Sequence, residues 1–292
     1  MGGISASEAS EVVVQAEPVL DVVAELGESP LWDPAIGLRW LDIPQRNLHT
    51  LTLTGKHHVT RLSTRVTAVK RGPGTRLLAV TANGFGLLDP ESGAAEELAH
   101  VVDAPVSMND GAIDPQGRGW AGSAVRDGSG RGALYRFDGR TASAQLGRIA
   151  MSNGLDFSPD GSVLYHVDST AGTLKAWEFD QGSGELGDSR LLRKVPAEVG
   201  LPDGLTVDAD GAVWLAVWGA AQVWRIDPVT GETTATVEVP TPCATSCVFG
   251  GPELTTLYVT TANHEAPPGG GLLYAADVPA RGRLSHRFSG GA

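Results

Sequence analysis

Six short segments of this chain repeat one theme, and a recurrence of that kind leaves few folds open. Four of them carry an oxygen-bearing side chain at nearly the same place. They read Gly27-Glu28-Ser29-Pro30-Leu31-Trp32, Met108-Asn109-Asp110-Gly111, Met151-Ser152-Asn153-Gly154-Leu155-Asp156 and Leu201-Pro202-Asp203-Gly204-Leu205. Weaker copies lie near Thr67 and Ser246. The spacing is roughly 40–50 residues, the length of one four-stranded propeller blade. Six such units use the chain from about Val19 to its end.

Local signals agree with this reading. Turn sequences recur at Asp89-Pro90-Glu91-Ser92-Gly93, Asp114-Pro115-Gln116-Gly117, Ser158-Pro159-Asp160-Gly161 and Asp208-Ala209-Asp210-Gly211. Pro presets φ in such turns and Gly supplies the positive φ that follows. About ten residues after each signature comes a strand-like run, such as Leu38–Ile43, Val163–Asp168 or Ala212–Val217. No segment carries a long helical period. The reading is an all-β, six-bladed β-propeller of four-stranded antiparallel blades around a central metal site. A two-sheet sandwich has similar strand content but does not predict six equal periods. Ring closure is expected from a strand near Val12–Val14 or Val19–Ala24 pairing with the last blade, which removes an exposed sheet edge. Residues 1–16 read as a mobile leader and 17–292 as the propeller domain.

Composition narrows the partners. The formal net charge is −12, which disfavours nucleic acid and anionic membranes. No window approaches the eighteen or so apolar residues of a membrane span. The N-terminus lacks the basic start and apolar run of a secretory signal. The two cysteines, Cys243 and Cys247, make neither a disulfide framework nor a zinc motif. These features point to a cytoplasmic protein, a monomer or weak homo-oligomer, acting on a small molecule.

In a propeller the innermost strands line the channel, so equivalent positions converge although they are distant in sequence. Glu28, Asn109, Asn153 and Asp203 hold such positions. Two carboxylates and two amides, without sulfur or imidazole, favour a hard cation. Ca²⁺ is the first choice, with Mg²⁺, Mn²⁺ and Zn²⁺ as alternatives. The competing explanation is that Asn-Gly and Asp-Gly are ordinary turn formers. Recurrence in four repeats weighs against it.

These residues resemble the SMP-30/gluconolactonase/luciferin-regenerating family. The likeness spans about residues 19–290 and rests on Glu28-Ser29-Pro30-Leu31-Trp32, Asn109-Asp110-Gly111, Ser152-Asn153-Gly154-Leu155-Asp156-Phe157, Pro202-Asp203-Gly204-Leu205 and Cys247-Val248-Phe249-Gly250. The resemblance implies a divalent metal held by Glu28, Asn153 and Asp203, and hydrolysis of a lactone. It implies that Asn109 sits beside the metal and holds substrate or water. For activating the water the first candidate is Asp203, with Asp127 as the second. The family often has Gly where Ser29 stands. Its sugar lactonases usually carry an Arg at the position of Ser107, and Ser cannot supply that fork of donors. Ser107, Arg126, Asp127, Asn109 and Trp218 are therefore the candidate substrate wall, with Trp218 read as lying just past an inner strand. His166 is expected between blades, and His57-His58 in solvent. Trp40, Trp120 and Trp214 are expected in blade packing. The alternatives are an arylesterase or phosphotriesterase, a non-hydrolytic enzyme on the same scaffold, or a non-catalytic metal- or ligand-binding propeller.

Overall fold

Each signature segment becomes the innermost strand of a blade. In the computed structural model, which describes residues 12–125, 127 and 130–290, six antiparallel sheets form the ring. Blade one runs Gly27–Asp33, Gly37–Asp42, Asn47–Thr52 and His57–Arg61, in that order outward. The other inner strands are Val66–Arg71, Ser107–Ile113, Ser152–Phe157, Leu201–Val207 and Ala244–Gly250. The apolar runs that follow each signature are the second strands, for example Val163–Asp168 and Val213–Trp218. Trp218 is thus the last residue of a second strand, and does not follow an inner one. Among the described residues no helix is long and apolar enough to cross a membrane.

Ring closure departs from the expected pairing. Glu17–Pro18 pairs with Tyr274–Asp277 and supplies the outermost strand of blade six. Val12–Gln15 instead adds a fifth strand to blade five, parallel to Thr233–Glu238. Residues 12–15, assigned from sequence to the leader, therefore belong to the sheet. The backbone amides of Val19 and Ala24 also donate to Leu273 and Gly271, tying the following segment to blade six.

The core is divided among the blade interfaces. One buried apolar cluster fills each: Leu41, Leu48 and Val69 lie between blades one and two, and Phe85, Met108 and Phe137 between two and three. Trp120 and Phe157 fill the next, then Val167 and Leu215, Trp214 and Phe249, and finally Trp40 with Leu273. Trp40, Trp120 and Trp214 are at most 2% exposed, as packing residues should be. His166 is buried and hydrogen-bonded to Ser152 Oγ at 2.7 Å. Burial holds its imidazole down at about 4, so it is neutral near pH 7. His58 is exposed, but His57 is not simply solvated: its ring stacks on Trp40 and His49.

Two of the Asp-led turns do more than reverse the chain. Asp208 is fully buried and accepts the amides of Asp210 and Ala212, the Trp214 indole N–H at 3.0 Å and Arg225 Nε at 2.9 Å. Asp114 repeats the device with Trp120 Nε1 at 3.0 Å and Arg118 Nε at 2.6 Å. One carboxylate therefore fixes a turn, a core indole and a guanidinium together, the last from the third strand at Arg225 and from the turn itself at Arg118.

The last segment, residues 279–290, contains no strand and crosses the end of the channel opposite the signature residues. It is bonded in turn to Leu254, Ala209, Asp156, Arg71 and Gly117, which come from blades six, five, four, two and three. Phe288 is buried against Phe137. The strap leaves the signature end as the approach to the channel.

Replacing Asp208 by Ala should destabilise the fold by about 3 kcal/mol, because it strands a buried indole N–H and a guanidinium. Equilibrium denaturation measures this; a loss below about 0.5 kcal/mol would contradict the role.

Candidate functional site

Every inner strand carries one extra residue at its start. Against the second strand, the steps Glu28 to Leu31, Met108 to Gly111, Ser152 to Leu155 and Pro202 to Leu205 each span three residues opposite two. Val66 to Ala68 and Ala244 to Ser246 span two opposite one. Such bulges re-aim side chains out of the pleat. The unpaired positions include Thr67, Asn109, Asn153, Asp203 and Thr245, so blade six contributes Thr245 where the sequence repeat suggested Ser246. In blade one the bulge falls on Ser29, one residue after Glu28. Ser29 takes φ +47°, a left-handed conformation that Gly adopts most easily. Its buried hydroxyl accepts from Val69 N at 2.9 Å, which locks the turn to blade two.

The glycines after Asn153 and Asp203 are not turn residues. Gly154 and Gly204 lie inside strands, and neither has positive φ. A Cβ on Gly154 would stand 2.4 Å from the Asp203 carbonyl oxygen, and one on Gly204 would stand 2.2 Å from Ser246 Oγ. Glycine is needed there so that neighbouring inner strands can converge. The turn-former explanation of Asn-Gly and Asp-Gly therefore fails at these two positions.

Bulge residues also stitch one blade to the next. Thr67 Oγ1 donates to the Asn109 carbonyl at 2.7 Å, Asn109 Nδ2 to the Ser152 carbonyl at 2.9 Å, and Thr245 Oγ1 to the Gly27 carbonyl at 2.6 Å. Asn153 Nδ2 donates to Ser169 Oγ at 3.0 Å. With their nitrogens engaged, the oxygens of Asn109 and Asn153 are the atoms left to accept or ligate. Asp203 is different. It is 8% exposed, and its Oδ1 is buried without a hydrogen-bond partner.

Electrostatics single out the same place. Burial pushes the Asp203 carboxyl up to about 8, helped by Asp110 and opposed by the Asn153 side chain and the Gly204 amide. Burial also raises Glu28 well above the carboxylate range, reinforced by Asp203 and then Asp110, and opposed by the Ser29 amide and Lys70. Both shifts describe a site short of positive charge. A divalent cation answers that deficit. The all-oxygen set of Glu28, Asp203 and the Asn153 amide suits a hard ion, and the orphaned Asp203 Oδ1 is the atom most in need of one. Among the described residues no three His, Cys, Asp or Glu side chains are grouped to hold a metal, so the set depends on the amide oxygen.

Glu28, Asn109, Asn153, Asp203 and Trp218 line one cavity of about 500 Å³. Ser107 and Asp127 are not among its lining residues. Ser107 Oγ donates to the Ala82 carbonyl at 3.2 Å, and the Asp127 carboxylate pairs with Arg131 at 2.7 Å. Arg126 lies outside the described residues. Sequence reasoning passed over Asp110 and Lys70, which pair at 3.5 Å beside the site. Asp110 was visible as the second residue of Asn109-Asp110-Gly111. Lys70 was visible as a charge closing the apolar stretch Val66–Val69.

Residues 26–263 match the family model described as the SMP-30/Gluconolactonase/LRE-like region. A Bacillus subtilis protein proposed to be a sugar lactone lactonase is 32% identical, over 92% of this chain and 97% of its own. Human regucalcin is 29% identical, over 95% of this chain and 99% of its own. The crystal structure of a calcium-binding protein, regucalcin from Agrobacterium tumefaciens, aligns with a TM-score of 0.89 at 28% identity. That alignment covers 96% of this chain and 100% of the other.

The Asp203 shift has a direct consequence for the cation-free protein. Its folded pKa of about 8 exceeds the ordinary 3.8, so the folded state holds the proton more tightly. That stabilisation is fully present below about pH 4 and is lost as pH rises towards 8. In chelator, Tm should fall across this window, and Asp203→Asn should flatten the fall. An unchanged slope in the variant would refute the assignment.

Proposed function

This chain belongs to the SMP-30/gluconolactonase/LRE-like family, and we propose that it hydrolyses a lactone with the aid of one divalent cation, Ca²⁺ by preference, held by Glu28, Asn153 and Asp203. The observation that carries this reading is the unpartnered, buried Oδ1 of Asp203 in a cavity that also holds Glu28. The regucalcins, one of them called calcium-binding, support the choice of metal, and the proposed lactonase supports the reaction.

The mechanism follows from what each residue offers. When bound, the cation supplies positive charge for the oxyanion that develops on the lactone carbonyl. Asp203 takes a proton from the attacking water as its oxygen bonds to the carbonyl carbon. The tetrahedral adduct collapses by breaking the ring C–O bond, and the ring oxygen takes the proton back from Asp203 to become the hydroxyl of a hydroxy acid. Asn109 orients the attacking water, whose O–H donates to its side-chain oxygen, and its Nδ2 is itself held by the Ser152 carbonyl. Glu28 and Asn153 position the charge. The blade interfaces keep bulk water from the flanks of the site.

A strained cyclic ester needs only a modest base, which suits a carboxylate next to a cation. The free, buried cysteines Cys243 and Cys247 support a reducing, cytoplasmic setting. Burial raises the Cys247 thiol and keeps it inert. We take the protein to act as a monomer or weak homo-oligomer on a small molecule.

Chelator should abolish turnover of a lactone panel, and Ca²⁺ should restore it, with Mg²⁺, Mn²⁺ and Zn²⁺ compared in parallel. Asp203→Ala should lower kcat at least about 10³-fold. Chelator-insensitive hydrolysis, or full activity in the variant, would end the proposal.

A further inference from the structure

The upper wall of the cavity is apolar on three sides. Ile43 and Pro44 follow the second strand of blade one, Met151 precedes the inner strand of blade four, and Leu201 and Trp218 belong to blade five. Leu201 is 40% exposed and Pro44 is exposed too, so apolar surface is left in water at the mouth of a cleft. Apolar groups placed this way mark a surface that a ligand covers. The Trp218 ring packs against His264 at 5.7 Å, which holds it as part of the wall.

The polar side chains tell the complementary story. Glu28, Asn153 and Asp203 are assigned to the cation, and Ser169 Oγ is engaged by Asn153. Among the described residues that line the cavity none is Lys or Arg, while Glu25, Glu28, Asp203 and Glu265 are all acidic. One divalent cation offsets only part of that charge. A ring bearing many hydroxyls meets acceptors such as Glu25, Asn109, Asn263 and Glu265 but no cationic fork to grip it, and an anionic ring meets repulsion. Ser107, at the position where an arginine fork was missed, bonds to the Ala82 carbonyl and does not replace it.

We propose that the substrate is an uncharged lactone carrying an apolar alkyl or aryl substituent, with the ring at the carboxylates and the substituent against Ile43, Met151, Leu201 and Trp218. This rests on the lactonase reading above and narrows its substrate class. A buried methylene contributes about 0.8 kcal/mol, which is roughly three- to four-fold in kcat/KM. Trp218 supplies the largest single face of the wall.

The test compares δ-valerolactone, δ-hexalactone and δ-decalactone with glucono-δ-lactone and with a carboxylated δ-lactone of similar size. Each added methylene should raise kcat/KM about three-fold until the chain leaves the cavity. The sugar and carboxylated lactones should be the poorest of the panel. In Trp218→Ala the ratio of decalactone to valerolactone should fall about ten-fold. Preference for the sugar or the carboxylated lactone, or no chain-length effect, would overturn this inference while leaving lactone hydrolysis standing. If no lactone is turned over with cation present, the hydrolytic reading fails, and calorimetric binding of alkyl δ-lactams decides the ligand class. Affinity that grows with chain length would support the apolar wall; equal affinity along the series would overturn it.

Discussion

Six strands converging on one axis have little room, and that crowding is the constraint from which the site follows. The inner strands approach so closely that Gly154 and Gly204 leave no space for a Cβ. Each strand relieves the crowding with one extra residue at its start. The bulge turns a side chain away from the sheet and towards the channel. Where that side chain is neutral, as at Thr67, Asn109 and Thr245, it ties its blade to the next. Where it is Asp203, one carboxylate oxygen, Oδ1, is left buried without a donor, and Glu28 lines the same cavity. Packing thus concentrates unfavourable charge at the spot where a cation can use it.

The rest of the molecule keeps that arrangement in place. Six separate apolar clusters hold the blades, and the buried Asp114 and Asp208 anchor core indoles to the turns below. The C-terminal segment crosses the far end of the channel and bonds to five blades, so access is left at the carboxylate end. Strain is kept local: Ser29 accepts an unfavourable φ, and its own hydroxyl bond to blade two repays part of the cost.

Much of this was legible in sequence because a repeat converts spacing into position. The period of the signatures gave the number of blades, and the alternation of turns and apolar runs gave their strands. Glu28, Asn109, Asn153 and Asp203 were recognisable as channel residues because they recur in register. Other features had no repeat to reveal them. The strand at residues 12–15 joins blade five because a parallel edge is open there, and a short Val-rich run does not name its partner. The strap over residues 279–290 is built from loop contacts without period. The bulge offset that makes Ser29, and not Glu28, the counterpart of Asn153, and Thr245 that of Asp203 in place of Ser246, depends on pairing register. Ser107 and Asp127 matched a family position in the sequence, but their side chains are engaged elsewhere, by Ala82 and Arg131.

The central claim is that Glu28 and Asp203 are held together, partly protonated, for a cation that displaces those protons. Calorimetric titration of the chelator-treated protein with Ca²⁺, in buffers of different ionisation enthalpy, measures the coupling directly. The account predicts one ion per chain with net proton release at about pH 7, fading as pH passes about 8, where Asp203 ionises unaided. Saturable binding without proton release at about pH 7, or no binding at all, would contradict it.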